Sequence, residues 1–319
     1  MQAPQVTRRQ ALMSGIAGVT ALLAPWDAAR ATGSVPAAAS GTLLIGKDLS
    51  VNRMGFGAMR ITGSEIWGEP KDPAEARRVL HGALDLGVNF IDTADAYGPE
   101  VSERLIAEAL HPYPKGLVIA TKGGMVRPSA SEWVADGRPS HLREACEASL
   151  KRLKLERIDL YQLHRIDPQV PLEDSIGELA RLKQQGKIGH IGVSNFGVAE
   201  LGRARAIVAI VSVQNRYNVA DRASEDVLAV CARDGLVFIP WAPIARGSAE
   251  RLENNAPGAG IEKVAQARGV SVLQLAIAWL LAKSPAMLPI PGTSSVEHLE
   301  ENVAAARIKL APGELATIG

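Results

Sequence analysis

Aromatic residues are scarce, at 4% of the 319-residue chain, which argues against a stacking platform for single-stranded nucleic acid. Basic residues number 35 against 34 acidic ones, so the excess needed to neutralise a phosphate backbone is missing. The two cysteines, Cys146 and Cys231, cannot build a disulfide framework or a CxxC metal site. No apolar run reaches the roughly 20 residues of a membrane span. What is plentiful is core: 47% of residues are hydrophobic and 22% charged, a balance that excludes disorder. The chain reads as globular, with no nucleic-acid partner and no stable span of a bilayer.

Residues 1–31 read as an address rather than as part of the fold. Thr7-Arg8-Arg9-Gln10-Ala11-Leu12-Met13 sets paired arginines before a mildly apolar stretch, and Ala29-Arg30-Ala31 is an A-x-A pattern. The arrangement resembles a bacterial twin-arginine signal, whose machinery exports proteins already folded. That resemblance implies the export machinery as a partner, cleavage near Ala31 and a periplasmic location. An uncleaved amphipathic helix is the alternative. Residues 32–40, Ala-rich from Val35 onward, read as a linker to one domain over 41–319.

From Gly41 the chain alternates short apolar runs with longer amphipathic ones, the signature of β/α units around a parallel sheet. A hairpin comes first, Thr42–Ile45 and Leu49–Asn52 about Gly46-Lys47-Asp48. Eight strands are then expected: Arg53–Gly57, Val88–Asp92, Leu117–Thr121, Ile158–His164, Ile188–Val193, Ile210–Gln214, Leu236–Pro240 and Met287–Pro291. Helical patterns lie between them at Pro73–Leu86, His141–Leu153, Leu172–Gln185, Asp221–Arg233 and Ser271–Lys283, with starts expected at Asp72-Pro73 and Ser140. Eight such units suit a (β/α)8 TIM barrel with an N-terminal β-hairpin, a fold that typically takes about 250 residues. The rival is a doubly wound sheet, which usually carries G-x-G-x-x-G after its first strand. Here Gly55-Phe56-Gly57-Ala58-Met59-Arg60 lacks the third glycine.

A barrel carries its site at the C-terminal ends of its strands. Those ends hold Asp92 and Tyr97, Lys122, and His164. Each has a plain structural role open to it: a helix cap, a loop aromatic, a snorkelling lysine or a satisfied core histidine. Together at one mouth they form a proton-delivery device. An ammonium beside a phenol favours the phenolate and lowers the phenol's pKa, an acid aims the ammonium, and an imidazole polarises a carbonyl. The spacings offer no convincing set of metal ligands.

With this tetrad, the chain resembles an aldo-keto reductase across 41–319. The resemblance implies reduction of an aldehyde or ketone carbonyl, with hydride from a nicotinamide cofactor and the proton from Tyr97. It assigns cofactor contacts to Gly57, Met59 and Arg60, to Ser194 and Asn195 in Gly-Val-Ser-Asn-Phe, and to Gln214. It adds Trp241, Pro243, Ile244, Arg246 and Gly247, with Trp241 facing the nicotinamide where Tyr is commoner. Pro291, Gly292, Thr293, Ser294, Ser295, His298, Glu301 and Asn302 fall at the adenosine-phosphate end, on a turn that opens onto a helix N-terminus. Gly292 and His298 stand where relatives place cations, so NADP(H) is expected to be preferred and NAD(H) stays possible. Trp67 and Trp133 are candidates for the substrate pocket, which the short tail after Ile308 leaves open. The alternative function within the same family is a cofactor-sensing or partner-binding module of the potassium-channel β-subunit kind.

Overall fold

Side chains alternate across a strand, so each strand of a closed parallel barrel sends alternate residues inward and outward. In the computed structural model, which describes residues 37–243 and 260–319, seven parallel strands join in one sheet. They are β3 (Phe56–Gly57), β4 (Phe90–Asp92), β5 (Val118–Gly123), β8 (Ile158–Leu163), β9 (Ile188–Ser194), β10 (Ile210–Arg216) and β11 (Val237–Trp241), neighbours in that order. The signal region, Ile244, Arg246 and Gly247 lie outside the described residues.

The eighth expected strand, Met287–Pro291, closes the barrel without a full ladder. Leu288 donates to Phe238 O at 2.9 Å, while Pro289 O accepts from Gly55 N at 3.0 Å and Pro291 O from Gly57 N at 3.5 Å. Pro289 and Pro291 have no N–H to give back, so this segment bonds its β3 neighbour only as an acceptor. The fold is the expected (β/α)8 barrel. Its hairpin pairs β1 (Thr42–Ile45) antiparallel with β2 (Leu49–Asn52). Ile45 and Val51 are fully buried in one apolar cluster with Phe90, Leu160, Ile239 and Leu288.

Local chemistry sets the helix ends. Asp72 caps α1 (Pro73–Asp85) by accepting from Ala74 N and Glu75 N, both at 2.9 Å, as its position before Pro73 predicts. Helix α2 covers Val101–Leu110, and α3 (Pro139–Leu153) starts at Pro139 rather than Ser140. Helices α4 (Leu172–Gln184) and α5 (Val198–Arg205) follow. Helix α6 (Glu225–Asp234) starts four residues later than expected, because Asn218 holds Ala220 N and Asp221 N in a local turn. Helix α7 spans Ile261–Arg268, and α8 (Val272–Lys283) opens on a Ser271–Gln274 capping box. Its Trp279 is buried and stacked on Tyr217 with centroids 5.9 Å apart.

Four further features differ from the sequence reading. Ala37–Ser40 is a 3-10 turn with Ala37 and Ser40 buried, so these linker residues belong to the packed body. The loop after β5 contains a small antiparallel pair, β6 (Met125–Val126) with β7 (Val134–Ala135). After α9 (Val296–Ala304) the tail folds as α10 (Pro312–Ile318), whose Ile318 joins the core beside Ile261 and Val264. Strand β3 is two residues long rather than five. Cys146 and Cys231 are both free and buried, and burial pushes each thiol up to about 12. Among the described residues no single helix is long and apolar enough to cross a membrane.

Candidate active site

Asp92 ends β4, and Lys122 lies on β5, paired in register with Gln162 of β8. His164 follows β8 on the same face as Gln162, two residues on. Tyr97 is brought over by a tight turn in which its N–H donates to Ala94 O at 3.2 Å. The four predicted residues converge: Lys122 is fully buried, and Asp92, Tyr97 and His164 are each under 9% exposed.

The ammonium of Lys122 donates to Asp92 Oδ2 at 2.6 Å, to Thr93 O at 2.9 Å and to Tyr97 OH at 3.2 Å. A lysine has three donors and no acceptor, so the tyrosine oxygen accepts here and its own proton points elsewhere. Asp92 Oδ1 in turn accepts from Gln214 Nε2 at 2.8 Å and Gln162 Nε2 at 3.0 Å. The Tyr97 and His164 rings meet edge to face at 5.8 Å.

Burial alone would lower the Lys122 pKa, but Asp92 and Tyr97 together outweigh it and the ammonium ends above its usual value. The phenol corrects an expectation. Burial raises the Tyr97 pKa, Lys122 pulls it down, Asp92 pushes it back, and the net direction is up rather than down. Burial, with help from Lys122 and Arg165, holds His164 well below the usual imidazole range. The site therefore presents a protonated phenol and a neutral imidazole at neutral pH. His164 Nδ1 is buried and has no hydrogen-bond partner among the described residues.

The nicotinamide segment also assembles. Ser194 Oγ donates to Gln214 O at 2.8 Å, and Asn195 Nδ2 donates to Ser194 Oγ at 3.0 Å and His164 O at 3.2 Å. Trp241 Nε1 donates to Asn195 Oδ1 at 3.1 Å, which fixes the indole by its edge, and the Arg216 guanidinium lies 5.9 Å from its ring centroid. Asn195 sits at φ 62°, a left-handed conformation that asparagine tolerates. Gln214 Nε2 is committed to Asp92, which leaves the Oε1 of that amide as its remaining acceptor. This donor and acceptor set fits a nicotinamide.

The adenosine end is less simple than the helix-terminus reading expects. A cavity of about 370 Å³ is lined by Met59, Arg60, Thr62, Glu75 and Ser294 among others. It lies off the tetrad, beside the track expected for a diphosphate. Three donors at the start of α9 and its cap are already engaged. Ser295 N donates to Thr293 Oγ1 at 3.1 Å, Val296 N to Glu75 Oε1 at 3.1 Å, and His298 N to Ser295 Oγ at 3.4 Å. Glu75, which the sequence reading missed, thus places a carboxylate at the helix N-terminus expected to take a phosphate. That hydrogen bond and the Arg78 guanidinium hold its pKa below the usual value. Gly292 has a packing reason: a Cβ there would lie 2.3 Å from Gly57 O. Pro291 is buried at the same junction, the His298 side chain is exposed, and Glu301 and Asn302 lie further along α9, Asn302 buried. Pro243 is buried at the end of the first described stretch.

On the substrate side Trp133 approaches the Tyr97 and His164 rings, with centroids 6.4 Å from each. Trp67 is anchored beside the same turn through a bridge to Gly98. Gln162 was legible in principle, since strand alternation places it on the His164 face. Arg127, in the loop after β5, carries no such signal.

A (β/α)8 barrel with a buried Asp-Lys-Tyr relay, a neutral histidine and a nicotinamide cradle defines a carbonyl-active oxidoreductase. Comparison with known proteins gives the family: residues 53–319 match the model of the aldo/keto reductase family, and the chain belongs to it. An uncharacterised oxidoreductase of Schizosaccharomyces pombe is 49% identical over 88% of this chain and 89% of its own. A pyridoxine 4-dehydrogenase of Escherichia coli is 41% identical over 84% of this chain and 94% of its own. An aldo/keto reductase of Klebsiella pneumoniae, solved with NADP and acetate, is 28% identical with a TM-score of 0.71, covering 87% of this chain and 93% of that one.

Proposed function

We propose that this chain is an exported carbonyl reductase that prefers NADPH, with Tyr97 as proton donor. The observation that carries the catalytic reading is the single ammonium that joins Asp92 and Tyr97 in a fully buried position. Because Lys122 spends a donor on the Tyr97 oxygen, the phenol proton is free to point into the mouth. Neutral His164 can donate to the same carbonyl oxygen and orient it. A nicotinamide dinucleotide, when bound, supplies the hydride to the carbonyl carbon. As negative charge develops on the carbonyl oxygen, Tyr97 hands over its proton, and the Lys122 ammonium stabilises the phenolate left behind. Solvent then reprotonates Tyr97. This complete donor set favours catalysis over the non-catalytic module reading.

Support for NADPH comes from the NADP complex of the Klebsiella relative and from Arg60, Thr293 and Ser294 near the phosphate end. Gly292 and the Glu75 carboxylate make the preference a modest one. Export rests on Arg8-Arg9 and the Ala29-Arg30-Ala31 pattern. The test is oxidation of NADPH and of NADH by purified protein against a carbonyl panel headed by pyridoxal, the aldehyde related to the Escherichia coli relative's substrate. Consumption with NADPH favoured a few-fold supports the reading. No consumption with any carbonyl removes it.

A further inference from the structure

Arg127 is buried behind the mouth, and no carboxylate among the described residues pairs with it. A guanidinium has five N–H donors in a fixed fork, and all five are used on backbone carbonyls. Nε donates to Glu132 O at 3.0 Å, Nη1 to Ile66 O at 3.1 Å and Ala96 O at 3.4 Å, and Nη2 to Glu65 O at 3.3 Å and Ala130 O at 2.6 Å. With its donors saturated, this cation has none left to bind an anionic group of a substrate. Its acceptors come from three segments: the turn before Trp67, the peptide before Tyr97 and the loop bearing Trp133. The guanidinium carbon also lies 3.7 Å from the Trp133 ring centroid and 5.4 Å from that of Trp67.

The turn that presents Trp67 is strained. Glu65 and Ile66 sit at φ 57° and 60°, and a non-glycine residue stays in that region only where its surroundings over-determine it. The carbonyls of these same two residues are held by Arg127. Trp67 and Trp133 are each 37% exposed; the Trp133 ring meets those of Tyr97 and His164 edge to face, and Trp67 is bridged to Gly98, the residue after Tyr97.

We propose that Arg127 is a positioning residue that fixes Trp67 and Trp133 as an aromatic wall, making the site selective for flat, ring-bearing carbonyl substrates. This deepens the carbonyl-reductase reading and rests on it. Aromatic rings stack on or meet aromatic walls with a gain of about tenfold in affinity beyond buried area. An aliphatic chain gains only its area. Lysine cannot replace the clamp, since a point charge with three donors does not span five carbonyls.

Binding is tested apart from turnover, with two unreactive carbonyl probes titrated calorimetrically into the NADP-loaded full chain. Benzamide is expected to bind about tenfold more tightly than butyramide in the wild type. In Arg127→Lys that ratio falls to within about threefold. Trp133→Leu, which keeps the guanidinium, lowers the ratio as well and decides the matter if the first variant does not fold. Turnover of benzaldehyde and butanal then shows the same change in the ratio of KM values and not in the ratio of kcat values. Equal affinities in the wild type, or equal weakening of both amides in Arg127→Lys, overturn the proposal. Amide discrimination without any aldehyde turnover upholds the wall and rejects the reductase reading instead.

Discussion

Lys122 is the residue on which the chemistry turns, because its three donors are divided among a carboxylate, a backbone carbonyl and the phenol. Lys122→Met removes the charge that stabilises the phenolate and strands Asp92 in the barrel. Breaking a buried pair costs on the order of 3–5 kcal/mol, so this variant should lose both kcat and Tm. Gln162 and Gln214 still hold Asp92 Oδ1, which limits the damage to local structure. A thermal melt beside a rate assay checks it, and an unchanged kcat would move suspicion for proton donation to His164. The histidine makes a pH prediction. Its folded pKa is depressed by burial, so kcat should stay flat as pH falls from 7.5 through about 6.5, where an ordinary imidazole would charge. The same shift has a stability sign: the unfolded chain takes up the proton first, so this contribution is complete above about pH 6.5 and is lost as pH falls towards the depressed folded value. A step in kcat near pH 6.5 that vanishes in His164→Asn would contradict the neutral assignment.

At the scale of elements, the proposed cofactor preference turns on the N-terminus of α9. Glu75 on α1 takes the Val296 N–H across a gap of 221 residues in sequence and adds negative charge at that terminus. Glu75→Gln keeps an acceptor for that N–H and removes the charge. It should raise affinity for NADPH relative to NADH by about two- to fivefold, the worth of one charge at a helix end. Fluorescence titration of both cofactors measures the ratio, and an unchanged ratio removes Glu75 from the cofactor site. This contact was invisible in the sequence, because no local pattern links an acid on one helix to an amide on another. The tetrad was legible for the opposite reason. Strand ends are marked by apolar runs, and a barrel sends every one of them to the same mouth. Pro289 and Pro291 stand in the sequence of the eighth strand, where a proline argues against a full ladder. The backbone carbonyls that hold Arg127 leave no side-chain signature, and they needed coordinates.

Over the whole molecule the proposed export signal and the barrel make joint sense. A dinucleotide that binds only the folded barrel stabilises it, by about 2.7 kcal/mol at 100 times its dissociation constant. A route that carries folded protein lets the cofactor cross already held. Arg8→Lys with Arg9→Lys should therefore leave full-length, active enzyme in the cytoplasm. Cell fractionation with a reductase assay on each compartment tests this, and export of the double-lysine chain with trimming near Ala31 would show the signal reading to be wrong.

The central claim is that Tyr97, held by Lys122, gives the proton. Tyr97→Phe keeps the ring against His164 and Trp133 and deletes only the hydroxyl. Steady-state reduction of the best aldehyde, measured with the NADPH dissociation constant, separates the chemical step from binding. The account predicts a fall in kcat of about 10²–10⁴-fold, the usual share of a general acid, with cofactor affinity within about twofold of wild type. Wild-type turnover in Tyr97→Phe would contradict it.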